Sequence, residues 1–204
     1  MAENVAQAVR EPRTERGRKT LRKLLDAASQ EFAERGFHEA SISGITRSAG
    51  VALGTFYTYF ESKDEIFRAL VKDMSAGVGA AAREALAPGM DALEIERVAL
   101  SAFLAFADEH RELYRIIDEA EFVDPASYRE HYEGTALRIE TRLKAGIESG
   151  ELRHGLGTPE AWALMGMNVF LGLRYTVWAR DGDPGLTEVA EAANRILKDG
   201  IAKS

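Results

Sequence analysis

Gly50 interrupts one helical apolar pattern, and a second begins directly after it. Ile42, Ile45 and Ala49 recur at helical intervals before the glycine, and Val51 and Phe56 follow it. Spacings of three and four residues gather such side chains on one face of a helix, where a half-buried strand would need strict alternation. A glycine at the junction takes positive φ at little steric cost, so the chain can turn sharply there. Two short helices joined by a tight turn make a helix-turn-helix, whose second helix can lie in a DNA major groove while the first crosses the backbone. Ser41 and Ser43 stand where the first short helix begins and suit N-caps; free N–H groups at such an end also suit a phosphate. Tyr57, Tyr59 and Lys63 then bring two phenols and an ammonium, groups that bind phosphate oxygens and set register without reading sequence. A helical hairpin inside an unrelated bundle is the blander alternative. It does not require the Gly-Val turn, the tyrosines and the lysine together.

Residues 36 to 63 read GFHEASISGITRSAGVALGTFYTYFESK. They resemble the DNA-binding head of the TetR family of one-component transcriptional regulators, and Ile66 extends the match. Ala40 and Thr46 stand where Thr and Ala are commoner, Thr58 where His is frequent, and Ile66 where Leu is usual; none breaks the core or the turn. The resemblance implies an all-α, nine-helix TetR-like fold with an N-terminal helix-turn-helix head and a C-terminal helical ligand-binding and dimerisation domain. On the second short helix, Leu53, Gly54 and Thr55 lie at the N-terminal end, where base-edge contacts are made; Leu53 or Thr55 can pack on a thymine methyl, and Gly54 permits close approach. Tyr57, Thr58, Tyr59 and Lys63 are the expected backbone contacts, with Phe56 and Phe60 assigned to the core.

A formal net charge of -7 argues against DNA until its distribution is considered. Residues 1 to 70 hold 11 Lys+Arg against 10 Asp+Glu, net +1, and the remaining residues hold 15 against 23, net -8. Within 10 to 23, seven basic residues, Arg16 and Arg18 among them, face only Glu11 and Glu15. That excess can supply salt-sensitive phosphate contacts, as an arm reaching the minor groove would, or can be a solvated terminus. Residues 1–17 are therefore expected to form a flexible basic arm, 18–63 the DNA-binding domain and 64–204 the ligand-binding and dimerisation domain. No apolar run is long enough to span a bilayer and the N-terminus is not signal-like, so no membrane partner and a cytoplasmic location are expected. The chain has no cysteine, which excludes disulfides and thiolate metal sites.

Beyond the head, a connector opens at Ser62-Lys63-Asp64-Glu65, which has the S-x-x-E form of a capping box. Helices are expected over about 91–109, 110–122, 126–149, 159–180 and 186–202, with stops at Asp124-Pro125, Gly150, Thr158-Pro159 and the run from Asp181 to Gly185. Phosphate loops, H-E-x-x-H and nucleophile elbows are absent from the sequence, and His38, His110, His131 and His154 lack metal-ligand spacing. No enzyme, cofactor or metal site is expected. Asp118, Glu119 and Glu121 read as a solvated helix face, with a carboxylate facing a ligand as the lesser reading.

Aromatic residues with polar tips point instead to a small-molecule pocket. Its candidates are Phe103, Phe106, Tyr114, Phe122, Tyr128, Tyr132, Trp162, Met165, Asn168 and Tyr175, joined by Met167, Phe170 and Trp178, although for each of them ordinary core packing is the favoured reading, less one-sidedly for Asn168, Tyr132 and Tyr175, whose buried amide or phenol needs a partner. Arg138, Arg142 and Arg174 can meet an anionic ligand or neighbouring carboxylates. Two apolar stripes, Trp162, Gly166, Val169, Leu173 and Val177, then Leu186, Val189, Ala193, Ile196 and Leu197, can either pair with their copies in a four-helix dimer interface or face the chain's own core; the resemblance favours the dimer. The composite is a homodimeric, ligand-responsive repressor on a near-palindromic double-stranded DNA operator, with a small hydrophobic or aromatic effector of open identity. An activator with the same head, an enzyme with an incidental helix-turn-helix and a non-specific architectural protein are the competing readings.

Overall fold

The computed structural model describes residues 12–201, in which nine α-helices form and no strand does. In order they are α1 (Glu15–Glu39), α2 (Ile42–Ala49), α3 (Leu53–Tyr59), α4 (Lys63–Ala85), α5 (Ala92–Glu109), α6 (Glu112–Val123), α7 (Pro125–Glu148), α8 (Thr158–Gly172) and α9 (Leu186–Ile201). A π-helical turn, Leu173–Val177, extends α8. Arg10 and the first eleven residues of the expected arm lie outside the described residues, and residues 15–17 already belong to α1.

The chain divides into two compact units, 12–73 with 115–128 and 74–114 with 129–201 among the described residues. The first is larger than the expected head, because most of α6 packs within it. Its core is aromatic. Phe32, Phe56, Phe60 and Phe67 are fully buried, and Phe67 meets Phe32 and Phe37 edge-on with ring centroids 5.2 and 5.1 Å apart. Edge-to-face pairs of this kind contribute about 0.5–1.5 kcal/mol beyond the area they bury.

Local chemistry explains the boundaries. Thr14 caps α1 by accepting from Gly17 N–H at 3.1 Å, and Ser41 caps α2 by accepting from Gly44 N–H at 3.0 Å. Ser43 caps nothing; its carbonyl accepts from the Thr46 hydroxyl. Gly50 ends α2 at φ 66, the positive φ the turn requires. Ser62 accepts from Glu65 N–H as the capping box asks, while Glu65 reaches back to Glu61 N–H, one residue earlier than the standard box.

In the second unit, α9 packs on α5 through Val189, Ala190 and Ala193 against Leu100 and Leu104. A second cluster joins Ile139, Leu143, Leu152, Leu164, Met165, Leu197 and Ile201. Gly172 sits where a Cβ would collide with the Tyr114 hydroxyl and the Phe103 ring, so the aromatics pack directly on backbone there. The Tyr114 hydroxyl donates to the Val169 carbonyl at 2.8 Å.

Candidate DNA-binding interface

The fold presents α3 as a short exposed rod on a buried base. Phe56 faces inward with no exposure, whereas Leu53 is 49% and Tyr57 52% exposed. Gly54 and Thr58 are exposed beside them, and Thr55 is half-buried. The outer face of this seven-residue helix is therefore free to meet a partner. The Thr58 hydroxyl donates to the Gly54 carbonyl at 3.2 Å, which leaves both of its lone pairs free to accept. Arg16 and Arg18 are exposed on the first turn of α1. Glu15, Arg16, Lys19, Thr20 and Lys23 line one open depression of about 590 Å³, where Lys19 pairs with Glu15 at 2.8 Å.

Two residues expected at the DNA backbone serve the head itself. Lys63 donates to three carbonyls, Phe37 at 2.6 Å, His38 at 3.1 Å and Ala40 at 2.9 Å. Its ammonium also lies 4.6 Å from the Phe37 ring centroid. All three N–H donors are spent inside the protein, so its assignment as a phosphate contact is corrected: Lys63 caps the end of α1. Tyr59 is half-buried and its hydroxyl donates to the Gly17 carbonyl at 3.3 Å, tying the end of α3 to the start of α1. Gly36 explains the need for Lys63. At φ 76 it breaks the helix inside α1 and strips partners from the backbone groups around it.

The same break is served from a distance. Phe37 N–H donates to both carboxylate oxygens of Glu119 at 2.9 Å, and Arg115 donates to the Ala33 carbonyl. Glu119 is thus not part of a solvated acidic face. Asp118 is exposed, with its carboxyl raised above the usual range by burial and by Glu121. The glutamate at i+4 from an arginine on α6 was the available signal, but that pair reads as an ordinary surface ion pair. Glu31 was missed similarly: it accepts from Ser41 N–H at 3.2 Å, and Gly44 leaves room for its carboxylate.

The family model for bacterial regulatory proteins of the tetR family matches residues 24–70. The fatty acid metabolism regulator protein of Bacillus subtilis (strain 168) is 30% identical over 139 residues, 65% of this chain and 71% of that protein. The chain belongs to the TetR family. The HTH-type transcriptional repressor KstR2 of Rhodococcus jostii (strain RHA1) is 29% identical over 198 residues, 91% of this chain and 92% of its own. The solved structure of the transcriptional regulator FadR from Bacillus subtilis in complex with stearoyl-CoA shares the fold, with TM-score 0.74 and 23% identity over 88% of this chain and 98% of that one. The protein is a DNA-binding transcriptional regulator, and among its described residues no helix is long and apolar enough to cross a membrane.

The effector residues expected of a TetR-family body are only partly gathered. Phe103, Phe106, Tyr114, Tyr132, Trp162, Met165, Asn168 and Tyr175 fall in the second unit, whereas Phe122 and Tyr128 fall in the first. Phe122 is 82% exposed and is corrected to a surface residue. Met165 is buried among Ile139 and Leu143, so it is core. Asn168 lines a cavity of about 10 Å³ with Glu96, Arg97 and Asn194, room for about one water. Phe106 covers Gly77, and Tyr175 packs under Arg174, whose guanidinium is 4.8 Å from the ring centroid.

The expected dimer stripes divide. On α9, Val189, Ala193 and Leu197 are buried in the chain's own core and Leu186 packs against it, so they are corrected to intramolecular packing. α9 has one strong apolar stripe, and its own fold uses it. Ile196 lies one residue, about 100° of helix, off that stripe and is 68% exposed. On α8 and its π turn, Trp162 and Val177 are exposed, Gly166, Val169 and Leu173 are half-buried, and Phe170 and Trp178, first assigned to the pocket, are exposed beside them.

Proposed function

We propose that the protein is a homodimeric repressor released from a near-palindromic operator by a small hydrophobic ligand. The observation that carries the reading is α3, whose Leu53, Gly54 and Tyr57 are exposed while Phe56 and Phe60 beside them are fully buried. Leu53 and Thr55 meet base edges, Tyr57 and Thr58 the phosphates, and Arg16 and Arg18 add phosphate contacts from α1. The exposure of Trp162, Phe170, Val177 and Trp178 along α8 and its end, and of Ile196 on α9, supports self-association, because a monomer would leave all five in water. A twofold dimer would set two recognition helices about 34–36 Å apart for successive major grooves.

Release requires a ligand with different affinity for two states. α6 is suited to transmit it: Tyr114 at its start is bonded within the second unit, while Arg115 and Glu119 are bonded to the end of α1 within the first. A coupling of about 1–3 kcal/mol changes operator affinity about 5–150-fold. The full-length relative named a repressor supports the direction of regulation, and the relative named for fatty acid metabolism supports a long-chain acyl effector. Footprinting of purified protein on genomic fragments, followed by titration with acyl thioesters, tests the reading; protection that is indifferent to every thioester and to competitor random DNA refutes it.

A further inference from the structure

Arg138, Arg142 and Arg174 each had a choice between a carboxylate and an anionic ligand. Arg142 meets buried Glu96 through Nε at 2.6 Å and Nη2 at 2.9 Å, and Arg174 meets Asp183 through both Nη atoms at 2.7 Å. Arg138 donates from Nη2 to the Thr135 hydroxyl at 2.9 Å and joins no ion pair among the described residues. Arg83, on α4, likewise joins none and is exposed.

These two guanidiniums converge on Gly79. At the point where a Cβ on that buried glycine would stand, Arg83 Nη1 is 3.3 Å away, and Arg138 Cζ and Nε are 3.4 and 3.5 Å away. The point lies on a seam between Ser75, Gly79 and Arg83 on α4 and His131, Thr135 and Arg138 on α7, all in the second unit. His131 Nδ1 and Ser75 Oγ are 2.7 Å apart. Both guanidiniums lie within 3.5 Å of that one point, so two like charges share the seam and repel each other, and an anion bound there would relieve the repulsion. The Arg138 guanidinium is accordingly pulled below its ordinary value, first by burial and then by Arg142 and Arg83.

We propose that this seam binds a phosphoryl group, the anionic end of the effector. Two planar guanidinium forks match phosphate oxygens bidentately, and their joint charge of two matches a dianion where one carboxylate would leave a charge uncompensated. Gly79 has no side chain to hold the two guanidiniums off the α4 backbone, and exposed Arg83 opens the site to solvent. The assignment rests on the effector reading above, and its test separates the two.

Pyrophosphate, titrated calorimetrically into the full chain at constant ionic strength, is the probe. Arg16→Gln/Arg18→Gln protein serves as background, so that DNA-phosphate contacts in the head do not contribute. On that background Arg83→Gln and Arg138→Gln are each expected to weaken binding about tenfold or more with unchanged circular dichroism, and in protein that keeps Arg16 and Arg18 each leaves operator affinity unchanged in the absence of ligand. Equal affinity in all three proteins overturns the site, as does acetate competing as well as pyrophosphate. Pyrophosphate binding that depends on both arginines, in a protein whose operator affinity no phosphorylated ligand alters, upholds the site and refutes the effector reading instead.

Discussion

Replacing Lys63 by Met keeps the apolar stem and removes the three donors, which makes it a direct test of what this lysine does. The carbonyls of Phe37 and Ala40 are partly buried where they accept from it, and that of His38 is exposed. Hydrogen bonds to charged groups contribute about 1.5–3 kcal/mol each when buried. One ammonium serves all three acceptors from a half-exposed position, so solvent screening brings the sum down to about 2–3 kcal/mol. The contact with the Phe37 ring adds roughly 0.5 kcal/mol. Loss of about 3 kcal/mol from local stability speeds amide exchange by roughly two orders of magnitude where opening limits it. Hydrogen exchange followed by mass spectrometry should show this acceleration over residues 36–45 and little change in the second unit. Operator binding by Lys63→Met protein should weaken while its salt dependence keeps its slope, since no phosphate contact is lost. Unchanged exchange in that segment, together with a salt slope shallower by about one, would refute the capping role and restore the lysine to the DNA backbone.

Gly36→Ala should destabilise the head by about 2–3 kcal/mol, because φ 76 with ψ 166 is a conformation essentially reserved for glycine and the new Cβ would stand 2.7 Å from Glu119 Oε1; urea denaturation followed by circular dichroism checks it. Tyr57→Ala and Leu53→Ala should each lower operator affinity about tenfold while leaving the melting temperature within a degree or two, since both side chains are about half exposed; an unaltered mobility-shift isotherm would remove α3 from the interface. His131 is lowered from 6.5 to about 4, chiefly by burial and then by Arg138. Its neutral form is favoured in the fold, so stability is fully present above about pH 6.5 and is lost as pH falls toward 4. Replacing His131 by Gln should flatten that part of the stability-versus-pH curve. Trp178→Glu should shift the protein from dimer to monomer in light scattering at micromolar concentration, whereas Phe122→Glu, on a surface assigned no partner, should not.

How far the sequence was legible depended on whether a residue's partner was local. Gly50, Ser41 and Ser62 act within four residues of themselves, and their roles followed from spacing. Phe56 and Phe60 were legible as core because helical periodicity demands a buried face. Lys63 was misread because its partners lie 23 to 26 residues away, and Glu119 because its partner lies 82 residues away. A charge on an amphipathic helix looks the same whether it meets water or a distant backbone. The α9 stripe was ambiguous for a different reason: a single apolar face can serve a core or a copy of itself, and only three-dimensional packing shows that α5 claims it. The aromatic list overcounted the pocket because rings packed on Gly77 and Gly172 use the same composition that a ligand site would.

The cap at Gly36 bears on how much work a ligand must do. Phe37 N–H has no helical partner because the helix breaks beside it, and in this fold it depends on Glu119. A partly buried donor left without its acceptor costs about 1–3 kcal/mol, which equals the range of coupling energies that regulators of this kind employ. Displacing α6 by little more than the length of a hydrogen bond would therefore spend an allosteric-sized free energy at the start of the helix-turn-helix, with no need to unfold anything. Lys63 holds the other side of the same break from the first turn of α4. On the ligand-release reading, the two side chains act in opposition: Glu119 moves with α6 and yields, while Lys63 keeps the head folded as it leaves the operator.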